Sequence, residues 1–210
     1  MNKAAWFLVS LVAFVAMAAQ AETVDFNQAS PGALPAGWVA GVTGEGAAKW
    51  AVTREKGWLT KYNVLKQSGE YASHSYPWCV DTNAILKDGH IEVRFKPLSG
   101  KEDQAGGLIW RWQDGDNYYV ARANANENNV TIYHTLKGVR TEFKRTPAKV
   151  ASNKWHRLRV DFNGSHFTVT FDGTKALEWD DDTFPNAGAV GVWTKADSVT
   201  EFDDFNYHGK

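Results

Sequence analysis

Residues 156–171 read His156-Arg-Leu-Arg-Val-Asp-Phe162, then Asn163-Gly164-Ser165, then His166-Phe-Thr-Val-Thr-Phe171. Leu158, Val160 and Phe162 alternate with Arg157, Arg159 and Asp161; Phe167, Val169 and Phe171 alternate with threonines. A period of two marks a strand with one buried face. An Asn-Gly-Ser link between two such runs is a hairpin, because glycine tolerates a positive φ. Upstream, His90–Lys96 alternates in the same way, with Ile91, Val93 and Phe95 on one side and Glu92, Arg94 and Lys96 on the other. Further strands are expected over 50–54, 64–67, 108–113, 118–122, 130–135, 190–195 and 199–207, with turns at Asp114-Gly115, Asn128-Asn129, Lys137-Gly138 and Asp172-Gly173. No apolar stripe of helical period follows residue 21. About a dozen short strands at hairpin spacing predict an all-β sandwich or barrel.

The composition agrees with a folded core. Of the 210 residues, 43% are hydrophobic and 22% charged, a globular balance. Lys plus Arg is 23 against 24 Asp plus Glu, so no cationic surplus exists to displace counterions from a nucleic acid. The single cysteine, Cys79, excludes an intrachain disulfide and a four-cysteine zinc site. It lies in the apolar run Tyr76–Val80 and reads as a small buried hydrophobe. Ten tryptophans stand beside seven tyrosines and eleven phenylalanines. Such rings either fill a core or present a surface on which a flat ligand stacks.

The first 21 residues read as a signal peptide. Lys3 is followed by a run from Ala4 to Ala19 that is apolar apart from Ser10, and Ala19-Gln20-Ala21 supplies the small residues of a cleavage site. The expected mature chain, 22–210, is one domain, periplasmic or secreted, with no membrane span after cleavage.

Three segments resemble a known family. They are Phe26 with Leu34-Pro35-Ala36-Gly37-Trp38, the run Gly107–Asn124, and Gly191–Phe205. Together they are similar to the concanavalin A-like (laminin G-like) secreted bacterial proteins related to the 3-keto-disaccharide hydrolase family. The resemblance implies a two-sheet antiparallel jelly-roll sandwich with a sugar-sized groove on its concave sheet. It also implies one structural calcium tying the first strand to the last, with Asp25, Asp203 and Asp204 as ligand candidates; calcium wants six to eight oxygens, so carbonyls or water complete the set.

Catalytic motifs are sparse. Glucanases of this fold place carboxylates as Glu-x-Asp-x-x-Glu on one strand. Glu178-Trp179-Asp180 begins that pattern, but Thr183 stands at the second Glu; Glu201-Phe202-Asp203 begins it again, and Asn206 stands there. Glu178 and Asp180 are thus weak catalytic candidates, and otherwise an acidic turn before Phe184-Pro185-Asn186. No nucleophile elbow, zinc-binding helix or phosphate loop is present, and no organic cofactor is expected.

Alternation suggests that Arg94, Arg111, Arg122, Tyr133, Trp193 and Lys195 line one sheet face, Arg111 being turned away from Trp110 and Trp112. Sugars bind such surfaces by stacking C–H faces on rings and accepting bonds from Arg and Lys. Equally, the rings fill a core and the cations solvate a sheet. The sequence therefore predicts a carbohydrate-binding domain. Its alternatives are a glycoside hydrolase of the 3-keto-disaccharide type and an adhesive protein-binding module.

Overall fold

A computed structural model describes residues 22–57 and 61–210. The signal-peptide segment at 1–21 lies outside the described residues. Fifteen strands follow one another: β1 Glu22–Val24, β2 Trp38–Thr43, β3 Trp50–Lys56, β4 Lys61–Gln67, β5 Tyr76–Leu86, β6 Gly89–Ser99, β7 Ala105–Asp114, β8 Asn117–Asn124, β9 Asn129–Leu136, β10 Val139–Pro147, β11 His156–Asn163, β12 His166–Phe171, β13 Thr174–Asp180, β14 Gly188–Trp193 and β15 Val199–Gly209. No helix occurs among the described residues.

The strands make two antiparallel sheets, the jelly-roll sandwich. Sheet A has the order β13-β12-β11-β6-β15-β4-β3, with β1 added beside β15; sheet B has the order β10-β9-β8-β7-β14-β5-β2. The hairpin at 163–165 joins β11 to β12 with Leu158 opposite Phe171 and Val160 opposite Val169. The β6 pattern meets it on the other side, Ile91 opposite Val160 and Val93 opposite Leu158. These residues face Trp110, Tyr119, Ala121, Ile132, Val190 and Val192 of sheet B across a continuous buried core. Trp110 lies in a ring cluster, stacked on Tyr119 at 5.4 Å and edge-on to Phe167 at 5.3 Å. Cys79 is buried and unpaired, and burial pushes its thiol pKa upward, which removes it as a nucleophile.

Two local readings need correction. Glu178 and Asp180 do not sit in a turn: they belong to β13, an edge strand of sheet A whose apolar contribution to the core is Leu177. The strand expected over 190–195 ends at Trp193, so Lys195 is placed by a loop.

Candidate functional site

The outward face of sheet B is built from the alternate residues that do not enter the core. Reading across the register, one row runs Gly41, Trp78, Trp193, Gly107, Arg122, Thr131, Arg145. The next runs Val39, Val80, Gly191, Ile109, Val120, Tyr133, Glu142. The face is concave. Arg140 of β10 and Tyr76 of β5 are separated by five strand steps, roughly 24 Å in a flat sheet, yet the guanidinium lies 4.5 Å from the Tyr76 ring. Only a sheet curled toward this side brings them together.

Small residues lay the rings on the floor of this face. A Cβ at Gly41 would sit 2.3 Å from the Trp78 indole, and one at Gly107 would sit 3.2 Å from that of Trp193. The indoles therefore lie over bare backbone. Trp78 and Trp112 are half-buried, with ring centroids 5.2 Å apart. Deeper in, Trp193 stacks on Tyr76 at 5.7 Å. The Tyr118 hydroxyl meets Thr43 Oγ1 at 2.7 Å, and Thr43 in turn donates to the Gly115 carbonyl. Arg140 lies over this cage, 4.5 Å from the Tyr133 ring and 5.9 Å from that of Trp193.

A polar network closes one end of the face. Arg122 is buried and donates to Asn129 Oδ1 at 2.8 Å, Glu127 Oε2 at 2.8 Å and the Tyr133 hydroxyl at 3.0 Å. Partial burial pushes the Glu127 carboxyl up, but the bond and charge of Arg122, with Asn129 and Arg145, outweigh it and hold the pKa at about 2. Lys195 reaches the buried Asp103 at 2.7 Å, and Asn124 donates to Asp103 at 2.6 Å. Four of the six residues expected on one face, Arg122, Tyr133, Trp193 and Lys195, thus converge here.

Arg94 and Arg111 do not. Arg111 has φ 48°. Between the pairs Ile109–Gly191 and Trp112–Ala189, β7 carries two residues where β14 carries one. This bulge breaks the alternation, so Trp110 enters the core, Trp112 turns to the concave face, and Arg111 points to neither. Its side chain, 1% exposed, donates to the carbonyls of Lys87, Phe184 and Gly164 and to Asp88. Burial pulls its pKa down. Arg94 stands on the other sheet, paired with Asp204 at 2.9 Å and lying over Trp155 at 4.8 Å.

The catalytic candidates Glu178 and Asp180 stand on sheet A, away from the concave face. Glu178 is exposed and paired with Lys175, Asp180 with His166. Glu201 is buried on the outer face of sheet A between Lys66 and Lys96. Glu55 is raised by burial and by a hydrogen bond with Glu201, a contact too close for an acid and its partner to flank a glycosidic bond.

Asp203 makes no ion pair among the described residues. Burial, and then repulsion from Asp204 and Asp25, outweigh a bond from the Asp204 amide and the charge of Arg94, so that its pKa rises to about 6. A cation beside Asp203 would relieve that repulsion. Asp204, however, is engaged by Arg94, and no three acidic, His or Cys side chains form a ready ligand cluster among the described residues.

Sequence reasoning missed Arg140, Tyr76, Trp78 and Trp112 as members of this face. The signal for Arg140 was the alternation of Arg140 and Glu142, masked by a bulge between Glu142 and Lys144.

No family model matches this chain, and no curated protein does. Solved structures do. The carbohydrate binding module CBM66 from Bacillus subtilis aligns with a TM-score of 0.64 at 19% identity, covering 81% of this chain and 94% of that one. The β-glucanase of Bacillus licheniformis aligns at 0.57 and 14%, covering 92% and 98%. The exoplasmic/lumenal domain of VIP36, in its Ca2+/Man-bound form, aligns at 0.56 and 12%, covering 90% and 88%. The chain has the fold of the concanavalin A-like lectins and glucanases.

Proposed function

We propose that this protein is an exported carbohydrate-binding domain that holds its glycan on the concave face of sheet B. The observation that carries the reading is the half-buried Trp78–Trp112 pair, its rings 5.2 Å apart and tilted 55° to one another, with Trp78 lying over the bare backbone of Gly41. Such rings offer apolar faces to the C–H side of a pyranose, and the nearby cations offer donors to its hydroxyls. The fold shared with a carbohydrate binding module and with a mannose-bound domain supports the same reading. Glu127, Glu142 and Asp103 of this face are each paired with a cation, which favours binding over hydrolysis as the proposed activity. A glycan array on residues 22–210, followed by titration of the best ligand, tests it. Trp78→Ala should weaken binding at least tenfold while the fold survives; unchanged affinity removes this face from the account.

Two further elements belong to this reading. One structural calcium, held by Asp203, Asp25 and backbone or water oxygens, would stabilise the folded state by linkage. Melting should then occur at a higher temperature in millimolar calcium than in EDTA, and equal midpoints dismiss the ion. Export to the periplasm or beyond, with cleavage after Ala21, should leave Glu22 as the first residue by intact mass.

A further inference from the structure

The concave face carries a charge imbalance that the fold does not use. Arg122 and Arg145 meet Glu127 at 2.8 and 3.4 Å, Arg145 also meets Glu142 at 2.7 Å, and Lys195 meets Asp103 at 2.7 Å. Arg140 meets no carboxylate among the described residues. The other three arginines of sheet B, at 111, 122 and 145, each donate at least two hydrogen bonds to protein acceptors. Arg140 donates none among the described residues. Its Nη1 is buried against the rings without a partner. The residue as a whole is half-buried, and its Nε and Nη2, which also lack protein acceptors, are not closed off in this way. Two tyrosine rings, each 4.5 Å from its Cζ, hold the guanidinium in place. An oriented fork of donors with its charge uncompensated, beside a stacking floor, is what a planar carboxylate needs.

We propose that this face selects acidic sugars, Arg140 receiving the carboxylate of a uronate whose ring stacks on the neighbouring indoles. The proposal rests on the glycan-binding reading above and names the ligand class for that site. A sulfate ester offers the same charge spread over three tetrahedral oxygens rather than two in one plane.

Titration calorimetry with four probes of equal length separates the cases: an oligogalacturonate, its methyl ester, a sulfated galactan and a neutral galactan. The oligogalacturonate should bind at least tenfold tighter than its ester and tighter than the sulfated chain, with a preference that falls as salt rises. Arg140→Gln should erase the difference between acid and ester, lowering affinity for the acid far more than affinity for the neutral galactan. Arg140→Lys, which keeps the charge and the aliphatic stem, should retain part of the preference, and a thermal melt checks that both variants fold. Equal affinity for acid and ester, a preference that survives Arg140→Gln, or tighter binding of the sulfated chain overturns the assignment while leaving glycan binding standing. Failure of all four probes, together with a silent Trp78→Ala on every array sugar, overturns the glycan reading itself and this inference with it.

Discussion

The outer faces of the two sheets solve the same problem in opposite ways. Each must meet water on one side while its partner face packs the core. Sheet A does so with paired charges: Arg157 with Glu92, Arg159 with Asp161, Lys66 and Lys96 with Glu201, and Arg94 with Asp204. Sheet B instead carries a second apolar cluster, with Tyr76, Val80, Ile109, Tyr118, Tyr133 and Trp193 buried and Trp78 and Trp112 at its margin. A sandwich needs only one buried face per sheet. The second apolar layer lies on the face where sheet A carries ion pairs, and this is the difference between the two outer faces. On sheet A these charges each meet an opposite charge within the protein. On sheet B the Arg140 guanidinium and the indole nitrogens of Trp78 and Trp112 lack partners.

The largest effect expected from a single change falls on neither face. Arg111 joins three loops through buried bonds, and Arg111→Ala strips the carbonyls of Lys87, Phe184 and Gly164 of their donor at once. Loss of a buried, multiply bonded cation should cost about 3 kcal/mol, or a fall of ~10 °C in melting temperature for a domain of this size. Glycan affinity of the variant that still folds at low temperature should be unchanged. Weakened binding with an intact melt would return Arg111 to the concave face and break the contrast drawn above.

Arg111 also shows where the sequence ceased to be readable. Strict alternation is a local signal, and it located β6, β11 and β12 because the bulges beside those alternating stretches put the extra residues in β15, between Asp203 and Asn206, and in β13, between Lys175 and Leu177, and leave their own facing unbroken. In β7 an extra residue reverses the facing of everything after it, and no residue type announces that bulge: a positive φ at an arginine is uncommon. The edge strands were hidden for a different reason. β10 and β13 bury few apolar side chains, so Val139–Pro147 and Thr174–Asp180 look like polar connections, and with β10 went Arg140. Trp78 was obscured because Tyr76–Val80 is a nearly continuous apolar run, buried on both faces in a sheet that carries apolar layers on both sides. The convergence of Arg122, Tyr133, Trp193 and Lys195 was legible because Arg122 and Tyr133 lie on regular strands and Lys195 stays within reach of Trp193 across a short loop.

A smaller effect sharpens the comparison through pH. Glu127 anchors the polar end of the sheet B face with a folded pKa of about 2, below the ordinary carboxylate value. Its contribution is therefore fully present above the unfolded value near 4.3 and is lost as pH falls from there through about 2. The group lies at the solvent edge, so screening reduces the contribution to about 1 kcal/mol. Glu127→Gln should lower stability by that amount at neutral pH and flatten the acid limb of a stability-against-pH curve. Wild type and variant should converge near pH 2. Parallel curves over the whole range would mean that Arg122 is held by Asn129 and Tyr133 alone.

The smallest effect belongs to sheet A. Arg157 pairs with Glu92 on the outer face, but its side chain is 53% exposed. An ion pair in that setting gains little from Coulomb attraction in water and holds two long side chains in one arrangement. Arg157→Ala should shift stability by less than about 0.5 kcal/mol and leave glycan affinity untouched. Glu92, whose own side chain is 15% exposed, keeps Arg159 opposite it in the register, so the change does not leave it without a neighbouring cation. The measurement is a pair of urea titrations with wild type and variant, joined to one titration with the best array ligand. A loss of affinity is the informative surprise: it would make the charged face of sheet A part of a binding surface, and the division between one satisfied face and one unsatisfied face would no longer describe the molecule.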